Sequence, residues 1–208
     1  MIARRAIRFE ELVLFDEERR SESVRVVAGV DEAGRGALAG PVVAAAVICE
    51  PCEDLRRVRD SKLLCAKERE RLYDVIVSSC VSSGVGIVGP AEIDRVNILR
   101  ASLRAMAEAV GALAVAPALV LVDGPQLPAL EFPMEAVTHG DRLSFSIAAA
   151  SILAKVTRDR IMTAEAKRYR GYGFGRNKGY GTAEHLAAIE KRGLSALHRR
   201  SFRIRTEV

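Results

Sequence analysis

The chain has 208 residues, 49% hydrophobic and 28% charged, with a formal net charge of +5. That is enough apolar material for one medium-sized domain with a real core, and it excludes whole-chain disorder. The most apolar stretch, Met106 to Val122, carries Glu108, Gly111 and Pro117. It falls short of the roughly 18 uninterrupted apolar residues of a membrane span, and no secretory leader follows Met1. A soluble, cytoplasmic chain with no membrane partner is therefore expected, with a monomer as the default.

In chain order, residues 9–20 read as a short amphipathic helix ahead of the main fold. Val26 to Val30 is a valine-rich strand ending at Asp31, and Pro41 to Ile48 is a second strand, close enough to pair antiparallel with the first. Residues 66–82 carry Leu72, Val75, Ile76 and Cys80 on one face and predict a helix. Val85 to Val88 is a third strand. Val96, Leu99, Leu103, Met106 and Val110 recur at helical steps and predict one helix over 91–110. Ala118 to Val122 is a buried strand ending at Asp123, and Met134 to Thr138 is a fifth, ending near Asp141. A long helix from Ile147 to about Lys167 follows, then one capped by Thr182 and stopped by Gly193. This order predicts an α/β fold, a mixed five-stranded sheet flanked by helices with a helical C-terminal appendage. The expected division is an extension over 1–20, a core over 21–168 and a basic segment over 169–208.

Charge is unevenly placed. Residues 155–208 hold 14 Lys/Arg against 5 Asp/Glu, which points to a polyanion such as nucleic acid; a solvated helical surface is the plainer alternative. Cys49 and Cys52 form a C-x-x-C with no second Cys or His pair at zinc spacing, so reduced thiols are expected rather than a redox or metal site. The three histidines have no paired metal spacing.

Three apolar strands end in carboxylates: Asp31-Glu32, Asp123 and Asp141. Each Asp alone also reads as a turn-former. If the strands are neighbours, four carboxylates meet at one sheet edge, where functional groups gather in open α/β sheets. Such a cluster is costly unless cations neutralise it. Oxygen-only donors suit Mg²⁺ or Mn²⁺, and two such ions about 4 Å apart are apparatus for phosphodiester cleavage. Adjacent strand residues face opposite ways, so Asp31 and Glu32 share a site only if the chain turns at Glu32, with Gly34 and Gly36 supplying the turn. Arg35, between those glycines, can grip a phosphate.

The block Asp31-Glu32-Ala33-Gly34-Arg35-Gly36, with Gly40-Pro41, resembles the opening motif of bacterial ribonuclease HII. Further blocks agree in order: Asp60-Ser61-Lys62, Glu92-Ile93-Asp94 with Asn97, and Val122-Asp123-Gly124. Gly140-Asp141, the run from Ser146 through Ser151 and Lys155 to Asp159, and Tyr172-Gly173-Phe174 follow. Lys178-Gly179-Tyr180 and His198-Arg199-Arg200-Ser201-Phe202 complete the set, so the resemblance covers roughly residues 25–203. It implies a ribonuclease H-like fold and an endonuclease that hydrolyses the RNA strand of RNA–DNA hybrids. Cutting 5′ of a single ribonucleotide in duplex DNA, leaving a 3′-hydroxyl and a 5′-phosphate, is implied as well.

By the same resemblance Asp31, Glu32, Asp123 and Asp141 are the catalytic metal ligands, for Mn²⁺ or Mg²⁺. Gly34, Arg35 and Gly36 contact the 2′-hydroxyl at the RNA–DNA junction, and Tyr180 senses that junction. A 2′-hydroxyl both donates and accepts, and a glycine-lined backbone offers both partners at close range. Ser61, Lys62, Ser151 and Lys155 are expected phosphate contacts. Arg199 and Arg200 are expected either to clamp the duplex or to solvate the tail, and residues 171–175 to form a flexible connector presenting Tyr180. His139 and Asn177 stand where many relatives carry Lys and His, departures expected to weaken phosphate contacts.

Overall fold

The computed structural model describes residues 8–203. Helix α1 (Phe9–Glu17) leads into strands β1 (Val27–Ala33) and β2 (Val42–Ile48), then helix α2 (Ala66–Ser79) and strand β3 (Ser82–Val88). Two helices follow, α3 (Pro90–Val96) and α4 (Ile98–Gly111), then strands β4 (Leu119–Asp123) and β5 (Met134–Val137). The long α5 (Phe145–Glu165), the single turn α6 (Phe174–Asn177) and α7 (Ala183–Arg192) complete the order. The sheet runs β3-β2-β1-β4-β5, antiparallel across its first three strands and parallel from β1 to β5. This is the mixed α/β sheet that the hydrophobic pattern predicts.

Both faces are covered, because β1 and β2 are apolar on both sides. On one face α5 lies across β1 and β2, and α2 packs beside it over Leu72 and Ile76. On the other, α4 sets Ala101, Ala105 and Ala109 against Val42, Ala44 and Ala46. Small residues let the helices sit close. A Cβ on Gly29 would stand 2.1 Å from the backbone of Ser146, and one on Gly86 would stand 2.0 Å from the Ala105 carbonyl. Either contact is far inside van der Waals distance.

The expected helix over 91–110 is two helices. Asn97 adopts φ 72°, which breaks the first, and its side chain accepts the Arg100 N–H to cap the second. Residues 9–17 are bound into the fold: the Asp16 carboxylate accepts the Ser146 N–H at 2.8 Å at the start of α5, and Phe9 meets Phe145 edge-on. Around α6, Tyr172 stacks on a fully buried Phe174, and Asn177 donates to the Tyr172 carbonyl and accepts the Gly179 N–H. Residues 171–175 are thus a packed corner rather than a flexible connector, and Asn177 spends its side chain on that corner.

Candidate active site

Strand β1 runs two residues beyond its expected end. Asp31 and Glu32 pair with Ala45 and Ala44 of β2 inside the ladder. The chain does not turn at Glu32; the turn comes at Gly34, which holds φ 96°. Strand residues alternate faces, yet the Asp31 and Glu32 carboxylates stay close enough to act on each other, and both feel the charge of Asp123. What joins them is β4. Its parallel register sets Val122 beside Val30, so Asp123 follows beside Asp31 at the end of the same strand pair.

Asp141 arrives from the turn after β5. It sits in a short 3₁₀ turn, Gly140–Arg142, whose Gly140 N–H donates to Asp123 Oδ1 at 2.7 Å. A Cβ at Gly140 would press on the Ile147 side chain and come within 3.3 Å of Asp123 Oδ1, so the docking here is close. Asp31 and Asp141 are buried, at 5% and 3% exposure.

Burial pushes the Asp31 carboxyl well above the usual carboxylate range, and the charges of Glu32 and Asp123 push it further. Glu32 is also raised by burial, opposed by Arg35 at 3.4 Å. Asp141 is raised by burial and opposed by Lys62, whose Nζ lies 3.1 Å from Oδ2. Two of the four carboxylates thus hold a cation of the protein itself. Among the described residues no three Asp, Glu, His or Cys side chains are drawn into a closed ligand set; Arg35 and Lys62 pair with Glu32 and Asp141 instead. The donors still suit a hard divalent cation: all are oxygen, two are buried, and they are like-charged neighbours.

The Asp60-Ser61-Lys62 turn has a plain structural logic. Asp60, 1% exposed, accepts the Lys62 N–H and the Arg142 guanidinium, so it docks the turn beside Asp141 and aims Lys62 at it. Ser151 Oγ donates to Ser61 Oγ at 2.7 Å, with both residues buried. These serines fasten the turn to α5 and are shut away from a phosphate in this arrangement. Lys155 is held by Asp159 at 2.7 Å and stands 5.5 Å from the centre of the half-buried Tyr180 ring.

The loop after β1 exposes Arg35 and Gly36 and buries Gly34. It lies against the Tyr180 segment because Leu38 and Ala39 donate their N–H groups to the Gly179 carbonyl. Arg199 is fully buried beneath this loop, so it neither clamps a duplex nor solvates the tail. Arg158 is buried beside it, with its guanidinium 5.1 Å from the Tyr180 ring centre. Reading the sequence missed both, because an arginine in a basic helical stretch looks like surface. The only signal was their placement in two dense motif blocks.

The family model described as Ribonuclease HII matches residues 28–205. A Ribonuclease HII of Syntrophus aciditrophicus is 51% identical over 192 residues, covering 92% of this chain and 91% of the relative. One of Geobacter metallireducens is 55% identical over 177 residues, covering 85% and 83%. Among solved structures, the ribonuclease H2 of Pyrococcus horikoshii superposes with a TM-score of 0.70 at 28% identity, over 85% of this chain and 93% of that one.

Proposed function

The chain belongs to the ribonuclease HII family, and we propose that Asp31, Glu32, Asp123 and Asp141 form its hydrolytic centre. It is a metal-dependent endoribonuclease acting on the RNA of RNA–DNA hybrids, as its relatives' shared name implies. The observation that carries the assignment is the meeting of four carboxylates at the ends of β1, β4 and β5, with Asp31 buried among like charges. A fold keeps so costly a group where a cation is to be bound.

Mn²⁺ or Mg²⁺ is the cofactor we assign to these four residues. When bound, such ions activate water and neutralise charge on the scissile phosphate and the departing 3′-oxygen. The protein's own groups do the rest. Lys62, paired with Asp141, and Arg35, paired with Glu32, exchange their carboxylates for phosphate oxygens when substrate arrives. The Gly34–Gly36 loop and Tyr180 recognise the ribonucleotide, so that the cut falls on its 5′ side and leaves a 3′-hydroxyl and a 5′-phosphate. Lys155 approaches the backbone beside Tyr180, and the basic segment over 169–208 grips the duplex. We assign it to the cytoplasm as a monomer; no described helix is long and apolar enough to cross a membrane.

The test is cleavage of a labelled DNA duplex carrying one ribonucleotide, with Mn²⁺ or Mg²⁺. One cut 5′ of the ribonucleotide is expected, abolished by EDTA and lowered on the order of 10³-fold by Asp123→Asn. Equal cutting of an all-DNA duplex, or an Asp123→Asn variant as active as the parent, would sink the reading.

A further inference from the structure

Arg199 places all three of its nitrogens on one loop. Nε donates to the Gly40 carbonyl at 3.0 Å, Nη1 to Arg35 at 2.9 Å and Nη2 to Gly34 at 2.8 Å. No carboxylate forms an ion pair with it among the described residues; three carbonyl dipoles hold the buried charge, with the Phe202 ring 5.0 Å from the guanidinium and Asp94 acting at longer range.

This arrangement dictates what the loop shows to the outside. A peptide unit is planar and trans, so its N–H points away from its C=O, and no cis bond occurs among the described residues. With the Gly34 and Arg35 carbonyls turned inward onto Arg199, the N–H groups of Arg35 and Gly36 turn outward together. Neither has a partner among the described residues, and both residues are exposed. Two successive outward N–H groups after a positive-φ glycine make a small concavity for an oxygen acceptor.

We propose that Arg199 is a positioning residue that determines specificity: it fixes the Gly34–Gly36 loop as a pair of donors aimed at an acceptor oxygen of the ribonucleotide. The proposal rests on the reading of that loop as the junction reader. Lysine cannot replace Arg199, because an ammonium is a compact point charge without the fixed planar fork that spans three carbonyls. Arg199 is itself held in place by Asp94, which accepts the N–H groups of Arg200 and Ser201 at 2.9 Å each. A tether in the α3 helix thus reaches the loop through one side chain.

The experiment compares a single-ribonucleotide duplex with a long RNA–DNA hybrid. The proteins are the parent, Arg199→Lys, Arg199→Gly and Asp94→Asn, and Mn²⁺ binding is measured calorimetrically on each. Expected for Arg199→Lys is a loss of about 100-fold in kcat/KM on the single ribonucleotide, the order that loss of positioning costs. The loss on the hybrid should be clearly smaller, and Mn²⁺ affinity unchanged. Added methylguanidinium should restore part of the activity of Arg199→Gly. If Arg199→Gly does not fold, Arg199→Lys and Asp94→Asn decide, the latter with a smaller shift of the same ratio. Equal losses on both substrates, or a loss that follows Mn²⁺ affinity, would overturn the role given to Arg199. A parent enzyme that fails to prefer the ribonucleotide duplex over all-DNA would instead defeat the underlying reading of the loop, and this proposal with it.

Discussion

Asp31 and Arg199 are both ionisable side chains buried beside the same turn, and the fold treats them in opposite ways. Arg199 has every nitrogen on a backbone carbonyl, and Arg158 repeats the pattern on Pro41, Ala39 and Lys178. Asp31 accepts one N–H, from Glu32 at 2.6 Å, and otherwise faces acids. A cation settled on fixed dipoles needs nothing from outside the chain. An acid buried among acids does, since burial and repulsion both oppose its charged form. The arginines belong to the framework of the site, and the carboxylates are its unmet demand.

This contrast can be broken by substitution. The largest effect should come from Arg158→Leu, which strands three carbonyls. At about 1–3 kcal/mol for each buried polar group left unpaired, the loss should exceed about 3 kcal/mol in urea denaturation. A loss under about 1 kcal/mol would mean that the carbonyls find other donors and that the framework reading is wrong.

Asp31→Asn should act in the other direction. The Asp31 pKa is raised in the fold, so ionisation at neutral pH works against the native state, and that penalty is absent below the unfolded carboxyl value. In EDTA at pH 7 the variant should therefore be more stable than the parent by about 1 kcal/mol, and the difference should vanish near pH 3. A variant less stable at pH 7 would show that the charge is better compensated than its neighbours suggest.

A third test concerns the buried His185–His198 pair, whose Nε2 atoms lie 3.1 Å apart. Burial, aided by His185, pushes the His198 pKa down to about 4. The unfolded chain then binds more protons than the native one between about pH 6.5 and about 4, so the pair's contribution to stability is full above that window and lost through it. Melting temperatures of the parent should fall through this range more steeply than those of His198→Gln. Parallel curves would show that the pair protonates without consequence.

Much of this architecture was legible in the sequence, for reasons that differ by region. Apolar runs punctuated by Gly and Pro marked all five strands, most clearly β1, β2 and β4, where burial on both faces leaves a continuous hydrophobic signal. The carboxylates at strand ends were readable because they interrupt that signal. The continuation of β1 through Glu32 was not, since charged residues look like the end of a strand whether or not the ladder goes on. Nor was the break at Asn97, where a single left-handed residue divides a helical pattern whose apolar period continues across it. The burial of Arg158 and Arg199 was hidden most completely. Their partners are carbonyls, which every residue has, so no side-chain pattern announces the pairing.

The bond from Arg199 to the Gly34 carbonyl spans 165 residues. Asp31, Glu32, Asp123 and Asp141 all lie in the first 141 residues of the chain, but the loop beside them is held by residues made much later, Gly179 and Arg199. As chains are synthesised from the N-terminus, the loop cannot be set until nearly the whole chain is made, and α5, which backs β1, is itself completed after Asp141. Selectivity at this site thus waits on the last elements of the chain.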